Sequence, residues 1–262
     1  MKGQTFRDAL RVQGRVIWAL SLRDILGKNT RDKLGYFWQI IRVAFGIAVF
    51  WGIREFLGAS SQQNLPQVVF LVCGFVPWSI FNEVAVGGIS AVSKGQSLLT
   101  FSHVQPLDLH ISNLTVSWTT QTIVMFIILW VALAMGYKFT LLDSVAFGGG
   151  LVGVGLFAFG TGLCLAALCK YIPVAEYIIG MVMRLLFFTS GIFFSPATFG
   201  QGFAELLYWN PITNYIELIR GAFLYRSPDP ALKLEFTFAV TAMVLCVGML
   251  MERHIRSIPD KV

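Results

Sequence analysis

Two stretches of the sequence contain no charged residue, and each is long enough to cross a lipid bilayer as a helix. They are Val116–Tyr137 and Val145–Cys169, of 22 and 25 residues, where a bilayer core requires about 20 apolar residues per helix. The chain of 262 residues is 56% hydrophobic and only 13% charged, about half the charged share of a soluble domain. The sequence therefore predicts an integral membrane protein and excludes the soluble enzyme folds.

Four further apolar stretches bring the predicted number of spans to six. Three of them carry charged residues inside an otherwise apolar run, and the fourth is free of charge but only 16 residues long. These stretches are Phe37–Leu57, Val68–Val92, Ile172–Phe194 and Phe236–Met251. The expected fold class is all-α: a polytopic membrane protein whose six-helix transmembrane domain covers residues 37–251.

The distribution of basic residues predicts the orientation in the membrane. Eight of the twenty lysines and arginines precede Tyr36, and positive charge beside a span is retained in the cytoplasm. If this tail is cytoplasmic, six spans place four segments on the cytoplasmic side: residues 1–36, the 93–110 loop, the turn at Lys170 and residues 252–262. These segments contain thirteen basic residues, whereas the opposite loops contain five. Both termini are therefore expected in the cytoplasm. The net charge of +6 then needs no nucleic-acid partner.

The N-terminal tail contains an amphipathic segment, residues 5–22. Its apolar side chains share one helical face, and Arg7, Arg11 and Arg15 form a row on the other. This pattern is typical of an interfacial helix on the anionic cytoplasmic leaflet. A helix packed on a partner protein is the alternative. Because no apolar segment occurs close to Met1, no cleavable signal peptide is expected.

Residues 195–235 lie between the fifth and sixth predicted spans, on the side opposite the cytoplasm. The apolar segment Phe203–Trp209 is too short to cross a membrane. Asn210 is a good helix N-cap and Pro211 a good first helical residue, so a second helix is predicted over Ile212–Tyr225. Two half-length helices joined in this way suggest a hairpin that dips into the outer leaflet. A loop lying flat on the surface is the alternative.

Apart from Arg54 and Glu55 at the far end of the first span, four charged residues lie inside the predicted spans, namely Arg42, Glu83, Glu176 and Arg184. A charged side chain in lipid is costly and marks either a functional site or a buried pair. Arg42, Glu83 and Glu176 are placed near the cytoplasmic face, where Arg42 and Glu176 can pair. Arg184 is placed near the midplane, where a substrate contact and a structural role both stay open.

The sequence contains no catalytic or metal-binding motif. It has no phosphate-binding loop, no zinc-protease motif and no nucleophile elbow. The four cysteines lie inside apolar runs without disulfide or metal-ligand spacing, at Cys73, Cys164, Cys169 and Cys246. We therefore expect no enzyme activity, no metal and no bound cofactor in this chain.

Several short motifs follow one another along the chain. They are Leu34-Gly35-Tyr36-Phe37-Trp38, Gly74-Phe75-Val76-Pro77-Trp78-Ser79, Gly95-Gln96-Ser97-Leu98-Leu99, Gln105-Pro106-Leu107-Asp108, Ser190-Gly191-Ile192-Phe193-Phe194-Ser195-Pro196, Trp209-Asn210-Pro211 and Ile216-Glu217-Leu218-Ile219-Arg220. Their order and spacing resemble the permease subunit of bacterial polysaccharide exporters of the ABC-2 type, most of all the capsule-export branch.

This resemblance implies a homodimeric permease that works with two copies of a separate ATPase, which would bind ATP and Mg²⁺ in place of this chain. It implies that the 93–110 loop is the coupling element. The candidate ATPase contacts are Gln96, Leu98, Leu99, Phe101 and Pro106.

The resemblance also assigns a transport path. The first and fifth spans line the conduit in that family, and residues 195–225 form periplasmic gate helices. The candidate conduit residues are Tyr36, Trp38, Arg42, Phe45, Tyr177, Arg184, Phe187 and Phe188. The candidate gate residues are Phe203, Trp209, Asn210, Pro211, Glu217 and Arg220, of which the last two lie one helical turn apart.

The function implied is export of a lipid-linked capsular polysaccharide across the bacterial inner membrane. Further partners would be periplasmic and outer-membrane export proteins. An O-antigen or teichoic-acid exporter of the same fold is the nearest alternative, followed by a drug or lipid exporter. A membrane-embedded glycosyltransferase should show an acidic metal-binding motif, and an ion channel should show a filter-like loop, for which residues 195–215 are too apolar.

Overall fold

The computed structural model describes residues 6–31, 35–56, 65–94, 104–198, 201–224 and 232–257, and these residues form helices without any strand. The predicted all-α fold class is confirmed. In chain order the helices are α1 Phe6–Arg31, α2 Gly35–Phe56, α3 Gln67–Lys94, α4 Pro106–Ala134, α5 Ser144–Tyr171, α6 Ala175–Thr189, α7 Gln201–Leu207, α8 Pro211–Gly221 and α9 Leu234–Ser257, with one 3-10 turn at Pro196–Thr198.

Four of the described helices, α3, α4, α5 and α9, are long and apolar enough to cross a membrane. The apolar part of α2 is shorter, Ile41–Ile53. Helix α6 has 15 residues, which at 1.5 Å per residue span about 22 Å and fall short of a bilayer core. The predicted count of six spans therefore stays a prediction.

The start of α4 corrects the predicted loop of residues 93–110. Helix α3 continues to Lys94 and α4 begins at Pro106, so the last five residues of that loop are helical. Proline is favoured at the first helical position. The carboxylate of Asp108 accepts a hydrogen bond of 2.9 Å from the backbone N–H of Gln105, which closes the helix end. The first turns of α4 contain polar residues, so the apolar run of the sequence did not show where the helix begins.

The last helix also differs from the prediction. Helix α9 continues to Ser257, six residues beyond the predicted span end at Met251. The proposed tail of residues 252–262 is thus helical over its described part. A helix needs no apolar residue to continue once it leaves the bilayer, because its backbone hydrogen bonds are internal.

Helix α3 lies at the centre of the bundle. In its apolar part 78% of the residues are buried, compared with 17% for α9. Glycines of α5 allow the close packing around it: a Cβ on Gly162 would lie 3.0 Å from the backbone oxygen of Val84 in α3. Small residues at such crossings let helix backbones approach in membranes.

Helix α1 packs against the beginning of α4 through polar contacts. The side chain of Gln13 donates to Asp108 Oδ1 at 3.0 Å, and Ser112 Oγ donates to Asp24 Oδ2 at 3.0 Å. Trp18 on the other side of α1 is exposed. The predicted N-terminal helix is therefore present, and part of its surface contacts its own chain; its amphipathic character stays a prediction. Its place on the membrane surface stays a prediction.

The predicted turn between two half-length helices is confirmed. The side chain of Asn210 accepts a hydrogen bond of 3.1 Å from the backbone N–H of Ile212, and Pro211 is the first residue of α8. The residues Ile212–Arg220 are all buried, which excludes a loop lying flat on the surface for α8. The helix ends at Gly221, and Tyr225 of the predicted helix lies outside the described residues.

Replacing Asn210 by alanine should lower the free energy of unfolding by about 1 kcal/mol, the usual loss for an N-cap. Asn210→Asp keeps the oxygen that caps the helix but loses the amide that donates to Ser190 Oγ at 3.0 Å. It should therefore recover most of the stability. Unfolding in mixed micelles measures both variants, and equal losses would show that the amide contact, not the cap, matters.

Candidate functional site

A cleft of about 210 Å³ lies between α2, α3, α4 and α6. Its polar lining consists of Arg42, Ser79, Asn82, Glu83 and Gln121. Most of these side chains belong to helices that are long enough to cross a membrane. Polar side chains inside a membrane bundle mark a functional site by default.

Apolar side chains form the remaining wall of the cleft, namely Val43, Phe75, Trp78 and Phe187. The ring centroid of Phe187 in α6 lies 5.7 Å from those of Phe75 and Trp78, which are ordinary aromatic packing distances. Pro77 in the same part of α3 removes one backbone donor from the helix. Aromatic and polar groups thus face one small space.

Glu83 and Gln121 are joined across the cleft. Gln121 Nε2 donates to Glu83 Oε1 at 2.7 Å. The Gln121 side chain is 1% exposed, and within the described residues its Oε1 has no hydrogen-bond partner. An unpaired buried acceptor costs about 1–3 kcal/mol. Such a group therefore points to a ligand that supplies a donor.

A second polar cluster lies around Arg220 in α8, whose side chain is 0% exposed. Its Nη1 lies 2.8 Å from Glu217 Oε1 and 2.7 Å from the backbone oxygen of Gly191. Its Nη2 donates to the backbone oxygen of Ile192 at 2.7 Å. The guanidinium also lies 3.6 Å from the ring centroid of Phe70 in α3. A guanidinium has five donors in a fixed fork, which suits it to several acceptors at once.

This cluster stabilises the end of α6. The helix stops at Thr189, and Gly191 follows with a φ of +70°, a value that glycine adopts at little cost. The carbonyl groups released there, at Gly191 and Ile192, accept from Arg220. A Cβ on Gly74 would lie 2.7 Å from Arg220 Nη2, so α3 also needs a glycine at this crossing. Helices α3, α6 and α8 meet at one charged side chain.

Comparison with known proteins places the whole arrangement in a family. Residues 15–224 match the family described as ABC-2 type transporter. The chain belongs to the ABC-2 type transporter family. It is 24% identical over 250 residues to the polysialic acid transport protein KpsM of Escherichia coli, covering 94% of this chain and 96% of that protein.

Two further relatives of this ABC-2 family member are named for capsule export. The capsule polysaccharide export inner-membrane protein BexB of Haemophilus influenzae is 23% identical over 260 residues, covering 95% of this chain and 94% of that protein. The protein of the same description named CtrC, from Neisseria meningitidis serogroup B, is 23% identical over 222 residues, covering 84% and 83%. The relatives therefore align with this chain over most of its length.

The predicted conduit residues of this ABC-2 protein divide into two groups. Arg42 and Phe187 line the cleft, and Tyr36 lies in the first turn of α2. The others are exposed on α2 and α6, namely Trp38, Phe45, Tyr177, Arg184 and Phe188. The sequence analysis allowed an ion pair between Arg42 and Glu176, but among the described residues no such pair is formed. Arg42 lies on the cleft with Glu83, whereas Glu176 is exposed at the start of α6.

The predicted gate residues also fall into two environments. Phe203 and Trp209 are exposed, and Lys233 Nζ lies 3.9 Å from the ring centroid of Trp209. Glu217 and Arg220 are buried and form the expected pair. Arg220 is one of the five basic residues that the charge distribution assigned to the outer loops, and it is instead buried in α8. Their role in a gate stays a prediction.

Of the predicted ATPase contacts, Gln96, Leu98, Leu99 and Phe101 lie outside the described residues. Pro106 is half-buried at the first position of α4. In the described ranges no group of His, Cys, Asp or Glu is placed to hold a metal ion.

The sequence analysis missed part of the cleft. Gln121 and Asn82 carry no charge, so the search for intramembrane ionisable residues passed over them. Glu83 was noted by that search but was left out of the conduit. A second rule, which counts uncharged polar residues inside the charge-free span Val116–Tyr137, would have found Gln121.

Proposed function

We propose that the chain is the membrane-spanning permease of an ATP-driven exporter that moves a lipid-linked capsular polysaccharide across the bacterial inner membrane. The observation that carries this proposal is the alignment, over most of the chain, with three relatives named for transport of capsule polysaccharide or polysialic acid. The cleft agrees with it, because sugars have both hydroxyl groups and apolar ring faces, and its lining has both kinds of partner.

The permease is proposed to act as a homodimer through α2 and α6. The exposed residues of α2 include one row spaced at intervals of four and three, at Trp38, Arg42, Phe45, Val49, Gly52 and Phe56, beside further exposed residues at Ala48, Trp51 and Ile53. Helix α6 is exposed over most of its surface, and its exposed residues include a similar row at Tyr177, Met181, Arg184 and Phe188. A repeat of 3.5 residues is the pattern of helices that pack on other helices. Because each row contains an arginine, lipid is a poor neighbour for it.

Two copies of a separate ATPase are the proposed source of energy. The segment between α3 and α4 is the proposed coupling element, with both termini in the cytoplasm. Leu98, Leu99 and Phe101 offer an apolar anchor of the kind that fills a pocket in a partner. Periplasmic and outer-membrane export proteins are proposed to receive the polymer.

The proposal is tested in the cell that makes this protein. Deleting the gene should abolish surface capsule and leave polymer inside the cell, which a plasmid copy should reverse. Normal surface capsule after deletion contradicts the export function, and loss of a different surface polymer assigns the chain to that polymer.

Changing Leu98 and Leu99 to aspartate should prevent the plasmid copy from restoring capsule, because charge does not fit an apolar pocket. The variant should insert into the membrane at a normal level and lose the co-purifying ATPase. Exposed Leu141 and Leu142, in the connection between α4 and α5, give the matched control when both are changed to aspartate. Normal co-purification of ATPase with the Leu98/Leu99 variant would show that the coupling element lies elsewhere.

A further inference from the structure

We propose that the cleft is a side pocket of the transport path that holds one sugar ring of the passing polymer, with Glu83 and Gln121 pairing with its hydroxyl groups. The inference rests on the proposed function and names the residues that recognise the cargo. It goes beyond the predicted conduit residues, which include neither of these two side chains.

The unpaired oxygen of Gln121 is the first support. Its amide nitrogen is engaged by Glu83 at 2.7 Å, which fixes the orientation of the amide and leaves Oε1 as an acceptor. That oxygen is the one buried polar atom of the described cleft lining without a partner. A sugar hydroxyl is both donor and acceptor, so it can complete the pairing without displacing the contact to Glu83.

The mixed lining of the cleft is the second support. Ser79 and Asn82 add polar groups to Glu83, and Trp78 and Phe187 add aromatic rings to the same lining. An acyl chain would leave the polar side chains dehydrated and unpaired. A free phosphate would meet Arg42 but also the carboxylate of Glu83, which like charge disfavours. A pyranose ring has hydroxyl groups at its rim and apolar faces, so it can pair with the polar side chains and pack on the aromatic ones.

The volume and the position of the cleft are the third support. Pockets for drug-sized ligands begin at about 300 Å³, and the cleft has about 210 Å³, which fits one ring rather than an oligosaccharide. Arg42 belongs both to the cleft lining and to the exposed row of α2. The cleft therefore opens on the face proposed for the conduit. An anionic group on the same sugar, a carboxylate or a phosphate ester, would meet Arg42 there.

The test uses the purified full chain in lipid nanodiscs, because maltoside and glucoside detergents are themselves sugars. Saturation-transfer difference NMR is recorded with methyl glucopyranoside, methyl glucuronopyranoside and glycerol 3-phosphate in separate samples. The two sugars should receive signal from the protein and glycerol 3-phosphate should not. Signal from glycerol 3-phosphate alone would overturn the proposal in favour of an anion site.

Variants locate the binding. Gln121→Met keeps the side-chain volume but loses the amide, and the sugar signal should fall roughly three- to tenfold, the effect of one lost hydrogen bond. Glu83→Gln should also weaken both sugars, and it serves as the deciding variant if Gln121→Met does not fold. Arg42→Gln should weaken the glucuronoside more than the glucoside. Unchanged sugar signals in both Gln121→Met and Glu83→Gln would overturn the assignment.

Gln67→Met is the matched control. Gln67 is an intramembrane glutamine of α3 that also has an unpaired buried atom, but it does not line the cleft. Its substitution should leave the sugar signals unchanged, and an equal loss there would overturn the assignment to the cleft. Because the binding assay contains no ATPase, an absence of sugar binding would reject the cleft assignment without bearing on export. The deletion experiment in cells tests export separately.

Discussion

Replacing Arg220 by methionine is expected to lower the free energy of unfolding by about 3–5 kcal/mol, the usual loss when one partner of a buried ion pair is removed. Glu217 would stay buried without its cation. The carbonyl groups of Gly191 and Ile192 would lose their donor at the end of α6.

The double variant with Glu217→Met should recover a large part of this loss. Removing both members of a buried pair is often close to neutral, because the cost of dehydrating two charges disappears with them. Recovery should stay incomplete, since the carbonyl groups still lack a donor and Ser195 loses its 3.2 Å contact with Glu217. Unfolding in mixed micelles measures the whole cycle.

Arg23 supplies the control for this prediction. It forms an ion pair with Asp24 on the exposed part of α1, where the side chains are 43% and 29% exposed. Arg23→Met should change the free energy of unfolding by at most about 1 kcal/mol, as for surface pairs. If Arg220→Met were no more destabilising than Arg23→Met, the buried cluster would be wrong, and with it the position of α8.

Local signals account for most of what the sequence predicted. The lengths of the apolar runs predicted the helices of the bundle, and Asn210-Pro211 predicted the turn between α7 and α8 because capping depends on neighbouring residues alone. The i, i+3 spacing of Glu217 and Arg220 likewise predicted their pairing. Each of these features is decided within a few residues of chain.

The rest depends on contacts between distant segments. Arg220 donates a hydrogen bond to the backbone oxygen of Phe70, 150 residues away, and no local sequence pattern predicts that contact. Gln121 pairs with Glu83, 38 residues away, only because α3 and α4 pack with particular rotations. An apolar helix surrounded by apolar neighbours and lipid has little amphipathicity to fix its rotation in advance. The cleft was therefore beyond sequence reasoning, although one of its charges was noticed.

The glycines of α5 show the same limit, since the sequence presents them as one dense group and the structure separates them. A Cβ on Gly160 would lie 2.8 Å from the backbone nitrogen of Leu245 in α9. A Cβ on Gly149 would have no atom within 4 Å apart from its own helix and neighbours. Gly160→Ala and Gly149→Ala are the same chemical change in the same helix, but their consequences should have opposite signs.

Gly160→Ala should destabilise the protein by about 1–3 kcal/mol, the usual penalty of overpacking. The atoms that the new methyl group meets belong to the backbone of α9, which cannot rotate away as a side chain can, so α9 must move from α5. Gly149→Ala should instead stabilise by up to about 1 kcal/mol, because alanine is the better helix former. Unfolding in mixed micelles measures both. Equal stabilisation by the two variants would mean that α5 and α9 do not cross at Gly160, since only that crossing makes the two positions differ.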